Sequence, residues 1–91
     1  MSRILAITPT YNEILNIGDL IDSIYSIDID IDILVVDDSS PDGTADYVKS
    51  HALYNKKLFI ISRPEKLGLG SAYCRGYEWA LNRDYSKVIQ I

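Results

Sequence analysis

Two adjacent aspartates, Asp37 and Asp38, follow directly on a hydrophobic run in the segment "ILVVDDSSPDGTADYV", which extends from Ile33 to Val48. Consecutive residues of a strand point in opposite directions. One carboxylate can therefore face a ligand, while the other turns toward backbone N–H groups of the next turn. Both aspartates could instead be turn and cap residues. Their place at the end of a buried strand favours the ligand.

A second segment with possible chemistry is "TPTYNE", Thr8 to Glu13. Tyr11 offers a ring face for a base, and Glu13 offers a hydrogen-bond acceptor. The same segment also suits a purely structural role, because Thr10 and Glu13 have capping-box spacing and Asn12 is a competing N-cap. Taken alone, the segment leaves both interpretations open.

A third segment, "RPEKLGLGSAY", places the cations Arg63 and Lys66 beside Gly68 and Gly70. Glycines before a helix N-terminus can cradle a phosphate. A bare G-x-G is weak evidence, and a tight turn with close helix packing is the favoured interpretation. The single cysteine, Cys74, excludes an intramolecular disulfide, and no Cys/His cluster indicates zinc.

The rest of the chain alternates between strand-like and helix-like patterns. Strands are predicted at residues 3–8, 33–36, 57–62 and 87–91, and helices at 13–25, 43–53 and within 68–83. Pro9 is expected to end the first strand. Ser40 is the predicted N-cap of the second helix, with Pro41 at its first position.

Two further features concern exposure. The alternating "IDIDIDIL" indicates an exposed lead-in to the second strand that carries Asp28, Asp30 and Asp32. The third helix should bury one face, on which the small residues Gly76 and Ala80 would allow close approach to a sheet. That face consists of Leu69, Ala72, Tyr73, Gly76, Ala80 and Leu81.

This βαβαβαβ order predicts an α/β, Rossmann-like fold: a parallel sheet of about four strands, right-handed crossovers and helices on both faces. Ligands of such sheets bind outside the carboxyl ends of the strands, near the point where strand order reverses. The acidic doublet and the tyrosine-bearing segment both follow strands. We therefore expect them to be neighbours on that edge.

Bulk composition narrows the class of protein. The 91 residues form one small domain, 47% of them are hydrophobic, and the net charge is −4. A negative charge argues against a broad nucleic-acid footprint, which needs a basic face. The chain has neither a signal-peptide pattern nor an apolar stretch long enough to span a bilayer, so a cytoplasmic location is expected.

Four motifs in order, "TPTYNE", "VVDDSSPDGTADYV", "RPEKLGLGSAY…G…WAL" and "VIQI", resemble the family 2 glycosyltransferases, most closely the polyprenol-phosphate (dolichol-phosphate) mannose synthase branch. The resemblance covers about Ile4 to Ile91. It implies a GT-A nucleotide-sugar-binding fold, GDP-mannose as donor and a polyprenyl phosphate as acceptor. Such an enzyme could lie at the membrane periphery.

The resemblance also assigns candidate donor-binding residues by position. They are Pro9, Tyr11 and Glu13 in the first motif, and Val36 and Asp38 in the second, with Asp37 beside them.

In the family, the fourth strand leads into an Asp-x-Asp motif that holds a divalent metal, Mg or Mn, on the donor diphosphate. That motif would begin where this sequence ends, at Ile91. Residues 1–91 are therefore expected to be the N-terminal half of the domain, with a partial donor site, no metal ligands and no catalytic residues. The bare fourth strand is expected to pair with a second copy, giving a homo-oligomer.

Two other classes stay open at this point. A signalling receiver domain also ends its first strand in "ILVVDDSS"-like residues, with Asp84 as a conceivable phosphoacceptor, although Asp84 precedes a strand instead of following one. A nucleotide-binding module without catalysis is the second alternative.

Overall fold

The computed structural model describes residues 3–27, 29–65 and 67–91. Four strands alternate with three helices, which confirms the predicted βαβαβαβ order. The strands are β1 (Ile4–Thr10), β2 (Ile31–Asp37), β3 (Leu58–Ser62) and β4 (Lys87–Gln90); the helices are α1 (Ile14–Tyr25), α2 (Thr44–Ser50) and α3 (Leu69–Leu81).

The strands form one parallel sheet in the order β3-β2-β1-β4, as expected for an α/β fold. The chain builds outward from β1 through β2 to β3, then crosses back to place β4 on the other side of β1. Strand order therefore reverses between β1 and β4. Crevices at such reversals are where open α/β sheets bind ligands.

The helices cover both faces of the sheet. Ile17 and Ile21 of α1 pack with Val48 of α2 on one face, and Ala72 and Ala80 of α3 pack on the other. Between them, every residue of β2 is buried. This explains why β2 is almost continuously apolar, since a central parallel strand has no wet side.

The expectation that Pro9 ends β1 was wrong, because the strand continues to Thr10. Ile7 O accepts a hydrogen bond from Ile91 N at 3.0 Å, whereas Thr10 O accepts one from Asp38 N at 3.1 Å. Alternate residues of a strand direct their backbone groups to opposite neighbours, so Pro9, like Ile7, faces the β4 side. Pairing with β4 stops at Ile7, and the absent N–H of Pro9 interrupts no ladder.

The predicted exposed lead-in to β2 was also wrong for Asp32, which is buried inside the strand. Its carboxylate accepts hydrogen bonds from Arg3 Nη2 at 2.6 Å and from the Tyr85 hydroxyl at 2.7 Å. Burial and the hydrogen bond to Asp32 raise the pKa of Tyr85. Asp30 is exposed as predicted, and Asp28 lies outside the described residues.

The second helix is shorter than predicted and begins later. It starts at Thr44 after Gly43, whose φ of 86° lies in the left-handed region that favours glycine. Ser40 is therefore not its N-cap, and Pro41 is not its first residue. Both belong instead to the loop that connects β2 to α2.

The prediction for α3 was correct for its small residues and wrong for its ends. Ala72, Gly76 and Ala80 are buried, whereas Leu69 and Leu81 are exposed. A Cβ atom placed on Gly76 would lie 2.7 Å from Cδ1 and 2.8 Å from Cγ2 of the buried Ile7. The absence of a side chain at this position lets α3 approach β1 closely.

No helix within residues 3–27, 29–65 and 67–91 combines the length and apolar character needed to cross a bilayer.

Replacing Gly76 with alanine should destabilise the fold, because Ile7 is fully buried and cannot easily move. The matched control is Gly70→Ala in the same helix, where an added Cβ meets nothing within 4 Å. Both changes gain the same helix propensity. The difference in free energy of unfolding between the two variants should be about 1–3 kcal/mol in favour of Gly70→Ala. Equal stabilities in urea titrations would contradict this packing argument.

Candidate functional site

The carboxyl edge of the sheet opens into a cavity of about 290 Å³. Three separate segments form its walls: the end of β1 with the turn into α1, the residue after β2, and the start of α3. The lining residues are Pro9, Thr10, Tyr11, Glu13, Asp38, Gly68 and Leu69. The expectation that the tyrosine-bearing segment and the acidic doublet are neighbours is therefore confirmed by the geometry.

Asp37 points away from this cavity into the protein. It is 1% exposed and accepts hydrogen bonds from Thr10 Oγ1 at 2.7 Å and from Ser40 N at 3.0 Å. The Ser40 hydroxyl also donates to it. Asp37 thus fastens the end of β1 to the loop after β2 and does not line the cavity.

Asp38 points the other way and forms part of the cavity wall. It is 6% exposed, and its carboxylate accepts two parallel hydrogen bonds from Arg63, from Nε at 2.6 Å and from Nη2 at 2.8 Å. Leu67 N donates to the same carboxylate at 3.2 Å. The opposite orientations of Asp37 and Asp38 are those expected from strand geometry.

Four of the six predicted site residues come together at the cavity: Pro9, Tyr11, Glu13 and Asp38. Val36 is fully buried in the core on the α3 side, and Asp37 lies beneath the loop. Neither of these two is among the lining residues. The assignment of all six to ligand binding stays a prediction.

The glycine-bearing segment contributes backbone to the cavity wall. Gly68, with φ 94°, is the N-cap residue of α3 and lines the cavity, whereas Gly70 already lies in the helix. Arg63, considered above as a phosphate-binding cation, instead pairs with Asp38. Lys66 lies outside the described residues.

The start of α1 is capped by the loop after β2, which sequence reasoning missed. Glu13 occupies the N-cap position but makes no side-chain cap hydrogen bond, so the predicted capping box is wrong. Three consecutive backbone groups instead donate to side-chain oxygens about 30 residues away. These bonds are Asn12 N to Ser40 Oγ at 2.8 Å, Glu13 N to Thr44 Oγ1 at 3.2 Å, and Ile14 N to Asp42 Oδ2 at 3.1 Å.

Asp42 is the negative member of this capping set. Desolvation opposes its ionisation, but hydrogen bonds from the hydroxyl and N–H of Thr44 and from Ile14 N outweigh that effect and lower the pKa of the carboxyl. An anionic carboxylate at a helix N-terminus also interacts favourably with the helix dipole. The sequence signal for this arrangement was the density of oxygen-bearing side chains in "DDSSPDGT".

A second cavity, of about 340 Å³, adjoins the first on the α1 side of β1. The two cavities share Pro9, Thr10 and Glu13, so Glu13 lies where they meet. The remaining lining residues are Thr8, Asn16, Ile17, Leu20 and Ile91.

Within the described ranges, no three His, Cys, Asp or Glu side chains gather closely enough to hold a metal ion. Cys74 is exposed on α3 and is not among the residues that line either cavity. The described residues therefore do not by themselves fit a divalent cation. What they offer a ligand is an aromatic ring, carboxylates and backbone groups.

A parallel α/β sheet with a crevice at its carboxyl edge is an architecture in which many nucleotide-binding domains hold their ligand. Residues 5–86 match the family described as Glycosyl transferase family 2, and the chain belongs to that family. The resemblance inferred from the four motifs is thereby confirmed.

Two relatives cover almost the whole chain. An undecaprenyl-phosphate mannosyltransferase of Micrococcus luteus is 41% identical over 93 residues, which is 98% of this chain and 37% of the relative. A polyprenol monophosphomannose synthase of Mycolicibacterium smegmatis is 39% identical over 90 residues, 98% of this chain and 34% of the relative. The chain thus spans about a third of the length of these relatives.

A solved structure supports the fold assignment. The mannosyltransferase PcManGT from Pyrobaculum calidifontis, in complex with GDP-Man and Mn²⁺, superposes with a TM-score of 0.74 at 29% identity. The match covers 86% of this chain and 24% of that one. The GT-A expectation is confirmed, and the receiver-domain alternative is not favoured. Asp84 lies three residues before the start of β4, at the amino end of the parallel strands, whereas Asp38 follows the carboxyl end of β2.

Replacing Thr44 with valine should weaken the contact between the two loops. Thr44 is fully buried, and its hydroxyl accepts from Glu13 N and donates to Asp42. Loss of a capping hydroxyl costs about 1–2 kcal/mol, and valine conserves the side-chain shape. Thr44→Ser keeps the hydroxyl and should retain more of the stability. A valine variant as stable as the parent chain would show that the capping bond contributes nothing.

Proposed function

We propose that the 290 Å³ cavity binds the nucleoside part of a nucleotide-sugar donor, and that the donor is GDP-mannose. The observation that carries this proposal is the meeting of Tyr11, Glu13 and Asp38 around one cavity at the carboxyl edge of the sheet. The names of the two relatives and of the solved mannosyltransferase, a complex with GDP-Man, support the choice of donor.

The chemistry of the wall suits a nucleoside. Tyr11 lines the cavity and is 39% exposed, and an aromatic ring in such a position can stack on a base. Glu13 is an acceptor that can take a hydrogen bond from the exocyclic amine or ring N–H of a purine, or from a ribose hydroxyl. Asp38 adds a second carboxylate and Thr10 a hydroxyl-bearing side chain, and the rest of the wall, from Pro9, Gly68 and Leu69, is apolar or backbone.

The cavity volume limits what the described residues can enclose. Small-molecule sites usually measure about 300–1,000 Å³, and this cavity lies at the lower end of that range. It accommodates a nucleoside more readily than an entire nucleotide sugar. We infer that the diphosphate and the sugar extend beyond it.

The proposed reaction transfers mannose from GDP-mannose to a polyprenyl phosphate. An oxygen of the lipid phosphate would attack the anomeric carbon, with inversion, while GDP departs. A divalent cation, as in the solved relative with Mn²⁺, would neutralise the diphosphate. Because the described residues do not fit that cation, the role proposed for them is donor binding and not turnover. A lipid acceptor would bring the whole enzyme to a membrane surface.

Tyr11→Ala should lower the affinity for GDP by about tenfold or more, since stacking on an aromatic ring contributes about 1–3 kcal/mol per base. The matched control is Tyr77→Ala, because Tyr77 is equally exposed at 38% but lies on α3 and does not line the cavity. Calorimetric titration with GDP, UDP and GDP-mannose, with and without Mn²⁺, measures both variants against the parent chain.

A parent chain that bound none of these nucleotides would overturn the proposed function. Equal affinities of the two tyrosine variants would remove Tyr11 from the site while leaving the cavity as a candidate.

We further propose that the chain self-associates through β4. This strand is at the edge of the sheet, and Ile89 and Ile91 are 43% and 45% exposed. Exposed strand edges pair readily with another copy. Sedimentation of the purified chain should show a dimer or larger species, and Ile89→Lys should shift it toward monomer. A monomeric parent chain at high concentration would contradict this proposal.

A further inference from the structure

Among the described residues, Arg63 is the one Lys or Arg that is buried, with 7% of its surface exposed. It lies in a loop, where a buried arginine is uncommon. It follows β3 directly, and its backbone N–H donates to Asp37 O at 2.8 Å. The side chain then turns toward the cavity wall. Burying a guanidinium is costly unless its donors are satisfied, so its contacts indicate what it holds in place.

The guanidinium donates hydrogen bonds to three residues: Asp38 after β2, and Gly68 and Ser71 at the start of α3. It donates to both carboxylate oxygens of Asp38, to Ser71 Oγ at 2.7 Å through Nη1, and to Gly68 O at 3.2 Å through Nη2. Ser71 lies in the first turn of α3, and Gly68 is its N-cap residue. One planar group thus fixes the side chain at the end of β2 and the first turn of the third helix.

Two further hydrogen bonds connect Asp38 and Arg63 to the neighbouring loop residues. Leu67 N donates to Asp38 Oδ2 at 3.2 Å, and the Ser39 hydroxyl donates to Arg63 O. Asp38, Gly68 and Leu69 all line the cavity, whereas Arg63 is not among the lining residues. Arg63 therefore holds the part of the wall formed by Asp38, Gly68 and Leu69 from behind and does not itself line the cavity.

We propose that Arg63 is a positioning residue for the ligand cavity: it orients the Asp38 carboxylate and holds the Gly68–Leu69 wall at the distance a nucleoside requires. The inference rests on the proposed nucleotide site. Arg63 also balances charge, because a nucleoside diphosphate is anionic and Glu13 already contributes a negative charge to the wall. A bidentate Arg–carboxylate pair supplies both orientation and neutralisation, which a lysine cannot reproduce.

The test uses Arg63→Lys in the 91-residue chain, which keeps a positive charge beside Asp38 but removes the planar fork. Arg75→Lys, at an exposed position of α3, is the matched control. In ligand-free protein, hydrogen exchange of the Leu67 amide and of the Ala72 amide, which donates to Gly68 O at 3.1 Å, should accelerate about tenfold, while the amides of β2 keep their protection. The control should exchange like the parent chain.

Calorimetry then distinguishes a role of Arg63 in positioning the cavity wall from a role only in stabilising the fold. An irreversibly misfolded fraction would lower the binding stoichiometry at unchanged Kd. Reversible unfolding would raise the apparent Kd only by the reciprocal of the folded fraction, which a urea titration of each variant measures. A displaced wall raises Kd beyond that factor. We expect Kd for GDP to rise about tenfold in Arg63→Lys, which corresponds to about 1.4 kcal/mol. Ser71→Ala, which removes one contact of the guanidinium, should raise Kd in the same direction by a smaller factor.

Each outcome decides the inference. Unchanged exchange of the Leu67 and Ala72 amides, or an unchanged Kd in a chain that binds GDP, would overturn it while leaving the proposed function intact. A parent chain that bound no nucleotide would instead overturn the proposed function. The exchange measurement would then decide alone whether Arg63 orders this wall. If Arg63→Lys fails to fold, Ser71→Ala decides by the same two measurements.

Discussion

The turn into α1 depends on side-chain oxygens supplied by the loop after β2. A helix leaves its first backbone N–H groups without intrahelical partners, and α1 has no side-chain cap of its own to satisfy them. Asp42 accepts from Ile14 N at the first helical residue, Thr44 accepts from Glu13 N at the N-cap, and Ser40 accepts from Asn12 N in the turn before it. Because Tyr11 and Glu13 belong to that turn, the geometry of one wall of the cavity is set by the loop that begins with Asp38. Each of the two loops therefore depends on hydrogen bonds to the other for its conformation.

Asp37 and Asp38 have different roles where the loop after β2 meets the end of β1. Asp37 is buried and binds Thr10 and Ser40, which keeps the two strand ends in register. Asp38 faces the cavity and is held by Arg63. A buried carboxylate is tolerated only when its hydrogen-bonding capacity is used, and both residues meet that condition through different partners. The pair is thus a structural residue and a wall residue in adjacent positions.

The sequence predicted the strand and helix order, the parallel sheet and the neighbouring of the two loops, because each depends on local periodicity and on chain topology. It predicted the close approach at Gly76 for the same reason.

The sequence failed where long-range contacts override local signals. Asp32 reads as exposed by alternation but is buried because Arg3 and Tyr85 bind it. Glu13 has capping-box spacing, yet residues about 30 positions away do the capping. For the segment that holds Arg63, the sequence favoured a tight turn over phosphate contact, but it could not show that Arg63 pairs with Asp38, 25 residues earlier.

Pro9 has a consequence for the crevice at which strand order reverses. Its ring nitrogen is directed to the β4 side and has no hydrogen to donate, so residue 9 adds no ladder donor beyond Ile7. The Pro9 carbonyl can only accept, and the backbone groups of Thr8 and Thr10 are directed toward β2. On the β4 side, the last residues of β1 therefore offer an incoming polar group an acceptor but no backbone donor.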